Sequence, residues 1–396
     1  MVDSDCGDLG LLRAKPGPFD AVPAGQFTLV RKLAGVINGD VYGCRWHTSD
    51  DNAEQLVAVK KLANDKLQAL ENTERIEKKV HLNQTALRAP SPEDALKEIG
   101  IMQYLSKQAD VPIYLLRMLG VFSESGKTLL VTEICEGGEL FEEVSKRNIT
   151  ESQVKVYSWQ LLQAVAFLHD HGVGHRDISL ENVLLKNGSV RLMDFGMAVQ
   201  ARAWGANGGP LLRYFRAVGK DFYRACECYV PRKATVSAVL PSSSNCTSSE
   251  ILQVEADGGY LCEVIVPAGA VPGKRCQAEV AGYTVPAADM FAVGVCLFVL
   301  LFRVPPWNSA TMKDGHFAFS RTKGFAPMLS KWSMSPASPE AMRMLACMTC
   351  TDPARRPVAR DCLRDEWIGE LREASVPRQR LATAPQAPCG AAAAGA

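Results

Sequence analysis

Three oxygen-bearing side chains lie near one another in the middle of the sequence. Asp177 and Asn182 precede a mainly apolar run, and Asp194 follows a second such run beyond a turn at 186–188. The alternation on both sides of that turn predicts two β-strands, so we expect the three side chains to face one cleft. Magnesium prefers oxygen ligands and keeps much of its water, which makes Asn182 and Asp194 a candidate pair of ligands. Asp177 is then left to orient an attacking hydroxyl.

The spacing of these residues is the basis of a family resemblance. His-Arg-Asp ends at Asp177, Asn182 follows five residues later, and Asp-Phe-Gly begins at Asp194, twelve residues beyond Asn182. This order resembles the catalytic loop and the magnesium loop of eukaryotic protein kinases, and the combination is far more specific than Asp-Phe-Gly alone. The resemblance implies an α+β, two-lobed kinase fold. An N-lobe antiparallel sheet with one main helix and a mainly helical C-lobe would enclose ATP between them.

A second stretch, Leu-Val-Ala-Val-Lys ending at Lys60, has the pattern of a buried strand. It resembles the family's Val-Ala-x-Lys, which implies that Lys60 holds the α- and β-phosphates of ATP and pairs with a glutamate on a helix. Glu98 is the candidate partner, because the apolar residues of 95–105 recur at helical spacing around it. Alternation along the strand directs the neighbouring Lys61 to the opposite face.

The phosphate lid expected ahead of this lysine matches the family only in part. Residues 27–46 predict two strands joined by a hairpin. Aligned on Val41, Gly39 keeps its place, whereas Ala34 and Val36 stand where the family usually has glycine. Glycine lets backbone N–H groups approach phosphate closely, so we expect Val36 to stiffen the lid or hold it farther from the nucleotide.

The adenine end of the nucleotide site follows from the same resemblance. Residues 115–122 and 128–134 predict two strands, the second of which runs into a stretch that resembles the kinase hinge. The resemblance implies that adenine bonds main-chain groups near Glu133 and Cys135, in front of Thr132. The remaining nucleotide contacts are expected from Leu33, Ala34, Gly39, Val41, Ala58 and Leu184.

Two residue types near the catalytic aspartate are exchanged relative to the family. Ser/Thr kinases usually have Lys two residues after this aspartate, and Thr after a Gly in the segment before Ala-Pro-Glu. Here Ser179 follows Asp177, and Lys220 follows Gly219. One hypothesis is that Lys220 supplies the ammonium from the opposite wall of the cleft while Ser179 takes the bridging role of the hydroxyl. The alternative is a solvent-facing Lys220 and an impaired enzyme.

The family's Ala-Pro-Glu appears in this chain as Ala-Cys-Glu, with Cys226 in the central place. The resemblance implies an ion pair between Glu227 and Arg356. Such a pair is strong when buried, because removing either partner leaves an uncompensated charge.

Two further carboxylates match positions that select substrates in the family. In basophilic kinases, the positions of Glu139 and Glu181 receive an arginine that precedes the phosphorylated residue. Charge-assisted bidentate contacts would favour arginine over lysine there. The alternative is a pair of solvated surface carboxylates.

The segment that follows Asp-Phe-Gly lacks the usual phosphorylation sites. From residue 197 to 219 there is no Ser or Thr, and Tyr214 is the sole hydroxyl. In the family, an arginine such as Arg176 usually grips a phosphate on this segment. We therefore expect activity that does not depend on Ser/Thr phosphorylation here. The neighbouring insertions or a regulatory protein partner would set the conformation instead.

The resemblance covers most of the chain and defines a domain plan. We expect a flexible N-terminal arm at 1–26, a kinase domain at 27–371 and a disordered tail at 372–396, the domain comprising an N-lobe at 27–133 and a C-lobe at 137–371.

Two insertions and three C-lobe helices complete this plan. The insertion at about 63–92 is rich in charged residues and predicts an exposed helix. The one at about 230–283 has the alternation and turns of a small antiparallel sheet. C-lobe helices are expected from Asp289 to Phe302, at 341–350 and at 361–371.

Length and composition are those of an ordinary globular chain of 396 residues. A net charge near +1 and a pI near 7.5 give no case for nucleic acid or an anionic membrane as the main partner. The 13 cysteines lack paired metal-type spacing and the N-terminus lacks a leader pattern, so we expect a reducing cytoplasmic compartment, with the nucleus as an open alternative. The longest apolar run, 290–302, is too short to span a bilayer and predicts a buried core helix.

The function that the resemblance implies is ATP- and magnesium-dependent transfer of the γ-phosphate to Ser/Thr hydroxyls of protein substrates. A pseudokinase scaffold that binds nucleotide weakly is the alternative, favoured by Ala34, Val36 and Cys226. Against a tyrosine-directed kinase, Ser-Leu-Glu-Asn follows Asp177, whereas tyrosine kinases typically carry Ala and Arg before that Asn. The C-lobe shows features like those of calcium/calmodulin-dependent kinases, and the subfamily is left open. The residues whose retention favours an active enzyme are Lys60, Glu98, Asp177, Asn182 and Asp194.

Overall fold

The computed structural model describes most of the chain. The described residues are 14, 19–22, 26–36, 39–47, 54–67, 94–202, 209–230, 235–242, 247–256, 259–369 and 371. The charged insertion expected at 63–92 lies outside the described residues from 68 onward, as does the tail expected at 372–396. Within the described part, an antiparallel sheet precedes a mainly helical region, as the two-lobed α+β fold requires.

The N-lobe is a five-stranded antiparallel sheet in the order β1-β2-β3-β5-β4. Its strands are β1 (Phe27–Val36), β2 (Gly39–His47), β3 (Glu54–Ala63), β4 (Met118–Glu124) and β5 (Lys127–Glu133). Val57 and Val59 are fully buried in a small core on one face of the sheet, so alternation turns Lys60 toward the other face. Strand β4 begins three residues later than expected, since Leu115 forms an isolated bridge with Leu192 instead.

One helix, α1 (Ala95–Ser106), accompanies this sheet. Asp94 caps its N-terminus by accepting hydrogen bonds from Leu96 N and Lys97 N, at 2.9 and 3.4 Å. This cap explains why the helix begins where the apolar spacing predicts. Glu98 lies on the buried side of the helix among apolar residues.

The described residues of the N-terminal arm are attached to the N-lobe. Ala14 N donates to Leu96 O at 3.0 Å, and Val22 N donates to Ser123 O at 3.1 Å. Ser123 N in turn donates to Asp20 O at 2.9 Å. These residues add main-chain hydrogen bonds to α1 and beside β4.

The C-lobe is mainly helical and shares one large apolar core. Its helices are α2 (Leu140–Lys146), α3 (Glu151–Asp170), α4 (Val285–Phe302), α5 (Gly315–Lys323), α6 (Phe325–Lys331), α7 (Pro339–Met348), α8 (Ala359–Cys362) and α9 (Glu366–Gly369). Helix α4 contacts both α3 and α7, which places it at the centre of the lobe.

Helix α4 starts at Val285, four residues before the start expected at Asp289. Pro286 fits this earlier start, because proline is tolerated in the first turn of a helix. Asp289 therefore lies inside the helix, where it is buried. The helix has 18 residues and a mean hydropathy of 2.3, so by length and composition alone it could cross a membrane, but 78% of it is buried against other elements, as in a core helix.

The end of the C-lobe differs from its expected helices. Helix α7 begins two residues before the helix expected at 341–350 and ends two residues before its expected end. Ser338 Oγ caps it by accepting a hydrogen bond from Ala341 N. The single helix expected at 361–371 is instead the two short helices α8 and α9. Asp365 separates them, because its Oδ1 accepts from Trp367 N at 2.9 Å and begins a new helix.

Short strands shape the region between the lobes. The hairpin predicted around the turn at 186–188 is present as β7 (Val183–Lys186) and β8 (Ser189–Leu192). Two further pairs join β6 (Val173–Gly174) to β9 (Val199–Gln200), and β10 (Arg213–Tyr214) to β15 (Tyr283–Thr284).

The insertion expected as a small antiparallel sheet is a closed four-stranded barrel. Its strands are β11 (Thr235–Val239), β12 (Ile251–Ala256), β13 (Tyr260–Ile265) and β14 (Arg275–Val280). Alternate residues fill the interior with small and branched apolar side chains, including Val236, Val254 and Val264. The barrel thus has an apolar core of its own, beside that of the C-lobe.

Candidate active site

An ion pair joins the lysine of β3 to the helix of the N-lobe. Lys60 Nζ lies 2.6 Å from Glu98 Oε2, and the two side chains are 17% and 10% exposed. Burial raises the pKa of Glu98 above its usual value, with Asp194 adding to the rise, whereas Lys60 opposes it. The carboxylate therefore depends on Lys60 for its charge, and each partner fixes the other at the edge of the cleft.

The loop that contains His175, Arg176 and Asp177 is held in place by α4. Asp289 Oδ2 accepts a hydrogen bond from His175 N, and Asp289 Oδ1 accepts one from Arg176 N, both at 2.8 Å. His175 is fully buried, and its Nε2 lies 3.0 Å from Met193 O. The loop is thus held both to the central helix and to the residue that precedes Asp194.

Asp177 and Asn182 are joined directly. Asn182 Nδ2 donates to Asp177 O and to Asp177 Oδ2, both at 2.8 Å. Both side chains are buried. The amide oxygen of Asn182 accepts a separate hydrogen bond, from Lys220 Nζ at 3.2 Å.

Lys220 points toward Asp177 and Asn182, with 36% of its side chain exposed. Its Nζ donates to Ser179 Oγ at 2.8 Å, to Asn182 Oδ1 at 3.2 Å and to Asp177 Oδ2 at 3.4 Å. Its backbone N also donates to Asp177 Oδ1 at 3.2 Å. The geometry is that of the exchange hypothesis, in which Lys220 and Ser179 meet across the cleft.

Gly219 is what allows Lys220 to come so close. Its φ is +84°, in the left-handed region that favours glycine. A Cβ at this position would lie 2.7 Å from Arg176 O. A side chain at 219 would therefore push the segment away from the catalytic loop.

The donor set near Asp177 is suited to a hard cation. Asn182 offers an amide oxygen, which accepts from Lys220 Nζ at 3.2 Å, and Asp194 offers a carboxylate, whose Oδ1 accepts from Gly196 N at 3.2 Å. Within the described ranges, no group of three or more His, Cys, Asp or Glu side chains could hold a metal. Two protein oxygens nevertheless fit magnesium, which takes few protein ligands beside phosphates and water.

The nucleotide side of the cleft combines strand and hinge residues. Ala34 pairs with Val41 across β1 and β2, and Ala58 pairs with Thr132 across β3 and β5. Leu33, at a bulge of β1, is partly exposed. A Cβ placed on Gly43 would lie 3.6 Å from both Leu33 and Ile134, so these two side chains flank the same part of the sheet. Leu184 on β7 bridges to Glu139 and is half-buried.

The structure gives Gly39 a role that the lid alignment does not. It pairs with Leu62 across β2 and β3, and a Cβ there would lie 2.0 Å from Lys61 O. Gly39 is thus required by the close approach of two strands, whatever it contributes to phosphate binding. The side chain of Val36 and the turn at 37–38 lie outside the described residues.

Glu133 connects the N-lobe sheet to the hairpin that precedes Asp194. Its carboxylate lies 2.8 Å from Lys186 Nζ and 3.2 Å from Arg191 Nε, and it also accepts from Arg117 N at 3.0 Å. The hydrogen bond to adenine expected near Glu133 comes from the main chain, so the carboxylate of Glu133 is free to make these contacts. In the adjoining hinge, burial raises the pKa of Cys135 to about 12, so its thiol is neutral at physiological pH.

The two candidate substrate carboxylates lie within electrostatic reach of each other. Burial raises the pKa of Glu139, and the charges of Glu142 and Glu181 raise it further, against an opposing effect of Lys220. Glu181 Oε2 is buried and has no hydrogen-bond partner within the described part of the chain. Two carboxylates that repel each other in this way favour a cationic ligand between them.

The expected ion pair behind the active site is fully buried. Arg356 donates to Glu227 through two nitrogen atoms, at 2.5 and 2.7 Å, and neither side chain is exposed. Cys226, in the place of the family's proline, is also buried, and its Sγ lies 3.8 Å from Arg356 Nη2.

The sequence analysis did not identify three residues of the site. Asp289 is the only charged residue in the apolar helix α4, and a lone buried carboxylate needs hydrogen-bond donors, so its position was a usable signal. Lys186 and Arg191 gave no such signal, because cations in a short hairpin are ordinarily solvated.

A family model of the protein kinase domain matches residues 37–239, just over half of the chain. The chain belongs to the protein kinase family. This match, together with the sheet and the helical region, confirms the family and the fold expected from the sequence.

Curated relatives come from a slime mould and a plant. The chain is 28% identical over 283 residues to a probable myosin light chain kinase of Dictyostelium discoideum, an alignment that covers 69% of each protein. It is 34% identical over 140 residues to calcium-dependent protein kinase 24 of Arabidopsis thaliana, covering 34% of this chain and 22% of that one. It is 24% identical over 290 residues to CBL-interacting serine/threonine-protein kinase 5 of the same plant, covering 72% and 52%. The chain therefore spans about half or less of the two plant relatives.

Proposed function

We propose that this chain transfers the γ-phosphate of ATP to Ser or Thr hydroxyls of protein substrates in a magnesium-dependent reaction. Membership of the protein kinase family supports phosphate transfer to protein. Likeness to an enzyme named as a serine/threonine-protein kinase supports the class of hydroxyl. The observation that carries the proposal is the 2.6 Å ion pair between Lys60 and Glu98, because protein kinases need this pair in place for activity.

Each charged group of the cleft has a role in this reaction. Lys60 places the α- and β-phosphates, and Glu98 orients Lys60. Asn182 and Asp194 would hold magnesium, which would neutralise charge on the phosphates. Asp177 orients the substrate hydroxyl and accepts its proton. Its carboxylate is kept in place by hydrogen bonds from Asn182 Nδ2 to Oδ2 and from Lys220 N to Oδ1.

Lys220 adds a cation beside the transferring group. Its contacts with Ser179, Asn182 and Asp177 support this role. They place the ammonium at the position that the family's lysine reaches from the opposite wall of the cleft. A donor that is already oriented stabilises developing charge without reorganising during the reaction.

Phosphate transfer from ATP to a Ser/Thr peptide library, with magnesium present, tests this proposal. We expect transfer by the wild-type chain and none by the variants Asp177→Asn and Lys60→Met. Lys61→Met is the matched control, because Lys61 lies on the same strand but interacts with Glu124 at 3.6 Å and not with Glu98. If Asp194→Ala phosphorylates peptide as fast as the wild type, the metal assignment is wrong.

A pseudokinase scaffold is the second candidate function. Ala34 and Val36 favour it, because both replace glycines expected in the phosphate lid. Wild-type protein that binds ATP in a calorimeter but transfers no phosphate to any peptide would select the scaffold over the enzyme.

A further inference from the structure

The barrel is connected to the segment that carries Lys220. Strand β10 pairs antiparallel with β15, with Arg213 opposite Thr284 and Tyr214 opposite Tyr283. Strand β15 lies three residues after the last strand of the barrel and leads directly into α4. The barrel, this strand pair and the central helix are therefore consecutive parts of one connection.

Arg213 makes its polar contacts with the barrel and its exit. Its Nε donates to Ala281 O at 2.7 Å, and its Nη2 donates to Gly282 O at 2.9 Å. The same Nη2 lies 2.6 Å from Glu263 Oε2 on β13, and the side chains of Arg213 and Glu263 are 23% and 13% exposed. The ion pair is thus largely shielded from water. Burial raises the pKa of Glu263 and Arg213 opposes that rise, so the carboxylate depends on Arg213 for its charge.

The residues after Arg213 reach the catalytic loop. Tyr214 is fully buried, and its hydroxyl donates to Gln200 O at 2.5 Å. The guanidinium of Arg176 lies 5.0 Å from the ring centre of Tyr214, and its Nη2 donates to Arg216 O at 3.3 Å. Tyr283 also donates to Arg216 O, at 2.8 Å. Arg176 immediately precedes Asp177, so the position of this segment bears on the catalytic aspartate.

The barrel has a second, more exposed ion pair with the C-lobe. Glu255 on β12 lies 3.2 Å from Arg321 on α5, with side chains 50% and 35% exposed. This pair attaches the barrel to a helix without contacting residues 209–220. Substituting one pair at a time therefore separates two roles of the barrel: its attachment to the C-lobe through Glu255 and its contact with residues 213–216 through Glu263.

We propose that Glu263 of the barrel is a positioning residue for phosphate transfer. Through Arg213 it fixes residues 213–216 against Arg176. The proposal rests on the proposed function and adds to it a mode of control. The segment contains no Ser or Thr from 197 to 219, and its hold is instead an ion pair with the barrel.

The full chain carrying Glu263→Gln tests the proposal, with Glu255→Gln as the matched control. We expect Glu263→Gln to lower kcat roughly tenfold while KM for ATP stays within about twofold, and Glu255→Gln to leave both unchanged. Backbone amide exchange at residues 209–219 should become faster in Glu263→Gln alone. Because Glu263 and Arg213 act as a unit, the double variant with Arg213→Gln should be no slower in kcat than Arg213→Gln by itself.

The outcomes separate this proposal from the proposed function. Equal effects of Glu263→Gln and Glu255→Gln on kcat, or unchanged exchange at 209–219 in Glu263→Gln, would overturn the positioning role. A wild-type chain that transfers no phosphate would overturn the proposed function instead. Amide exchange would still report on how the ion pair between Glu263 and Arg213 holds residues 209–219, since this measurement needs no turnover. Exchange that increases across the whole barrel of Glu263→Gln would show unfolding of the barrel and would also overturn the proposal.

Discussion

Among single residues, Lys220 is the departure that most changes the chemistry of the cleft. Three oxygen acceptors surround its ammonium, from Ser179, Asn182 and Asp177. These contacts orient the ammonium before substrate arrives. A fixed cation stabilises charge that develops on the transferring phosphate more than it stabilises bound ATP.

Replacing Lys220 should therefore affect turnover more than binding. We expect Lys220→Ala to lower kcat by about 100-fold, equivalent to roughly 3 kcal/mol, because it removes a preorganised donor. The Kd for ATP should change by less than about threefold, since Lys60 and magnesium ligands remain. Steady-state kinetics and calorimetry measure the two effects separately.

The reverse exchange is the control for Lys220. Ser179→Lys combined with Lys220→Thr restores the family's arrangement, so it should recover much of the lost kcat. An unchanged kcat in Lys220→Ala would contradict the role of the ammonium and favour the scaffold reading.

Glu139 and Glu181 should select arginine upstream of the phosphorylated residue. We expect Glu139→Gln to raise KM about tenfold for peptides that contain this arginine, the scale of one lost charged hydrogen bond. Peptides with alanine in its place should not discriminate between the two proteins. Glu142→Gln, in the helix that follows Glu139, is the control, because Glu142 is engaged by Lys146 at 2.6 Å.

The same pair predicts a pH dependence of peptide binding. Burial and the neighbouring carboxylates raise the pKa of Glu139, so it becomes neutral at a higher pH than a free glutamate. An arginine needs the ionised form, so affinity is complete above the raised pKa and is lost as the pH falls through it. The KM of an arginine peptide should therefore rise on acidification in the wild type and stay flatter in Glu139→Gln. Equal profiles in the two proteins would count against this site.

Sequence reasoning succeeded where chemistry sets the spacing of residues. Lys60 and Glu98, and Asp177 and Asn182, meet as their motifs suggest. The sequence did not decide whether Lys220 faces the cleft or solvent, because strand and turn patterns do not indicate which side chains meet across a cleft. The contacts of Glu133 with Lys186 and Arg191 depend on how separate elements pack, which no local pattern records.

At the scale of elements, the buried pair of Glu227 and Arg356 joins the 3₁₀ turn at Cys226–Cys228 to the start of the C-terminal helices. Arg356 also donates to Cys350 O at 2.6 Å and to Ala287 O at 2.9 Å. One guanidinium therefore satisfies acceptors from three elements, including the first turn of α4.

Removing this guanidinium should destabilise the C-lobe strongly. We expect Arg356→Leu to lower the free energy of unfolding by about 3–5 kcal/mol, because it leaves Glu227 buried without a partner. Arg364→Ala is the control, since Arg364 is paired with Asp361 at the surface, and it should cost less than about 1 kcal/mol. Urea unfolding followed by fluorescence measures both values, and similar losses would contradict the role assigned to burial.

Element boundaries were predicted well only where a local signal ends the element. The cap at Asp94 marks the start of α1, whereas α4 starts before its expected residue because Pro286 and the exit of the barrel set its beginning. The alternation at 230–283 predicted antiparallel strands, but closure into a barrel depends on the pairing of β11 with β14, which are far apart in sequence.

At the scale of the whole molecule, charged contacts in both lobes converge on the cleft. Glu133 joins the end of β5 to the β7–β8 hairpin, and Lys60 joins β3 to α1. Asp289 connects α4 to the catalytic loop, and Arg213 connects the barrel to the segment before Lys220. Because charged side chains of the chain itself already fix these elements, the segment before Lys220 has less need of a phosphate to position it.

Activity should therefore be independent of phosphorylation of the segment between Asp194 and Lys220. Its only hydroxyl, that of Tyr214, is fully buried and donates to Gln200 O, so a kinase could reach it only after the segment leaves its place. We expect the protein to keep its kcat after treatment with a broad-specificity phosphatase, and mass spectrometry of the active protein to find residues 209–220 unmodified. Tyr214→Phe should lower the free energy of unfolding by about 1 kcal/mol through the lost hydrogen bond, with kcat changed by less than about threefold. A phosphate on Tyr214 whose removal lowers kcat more than tenfold would contradict the prediction and make this tyrosine the switch.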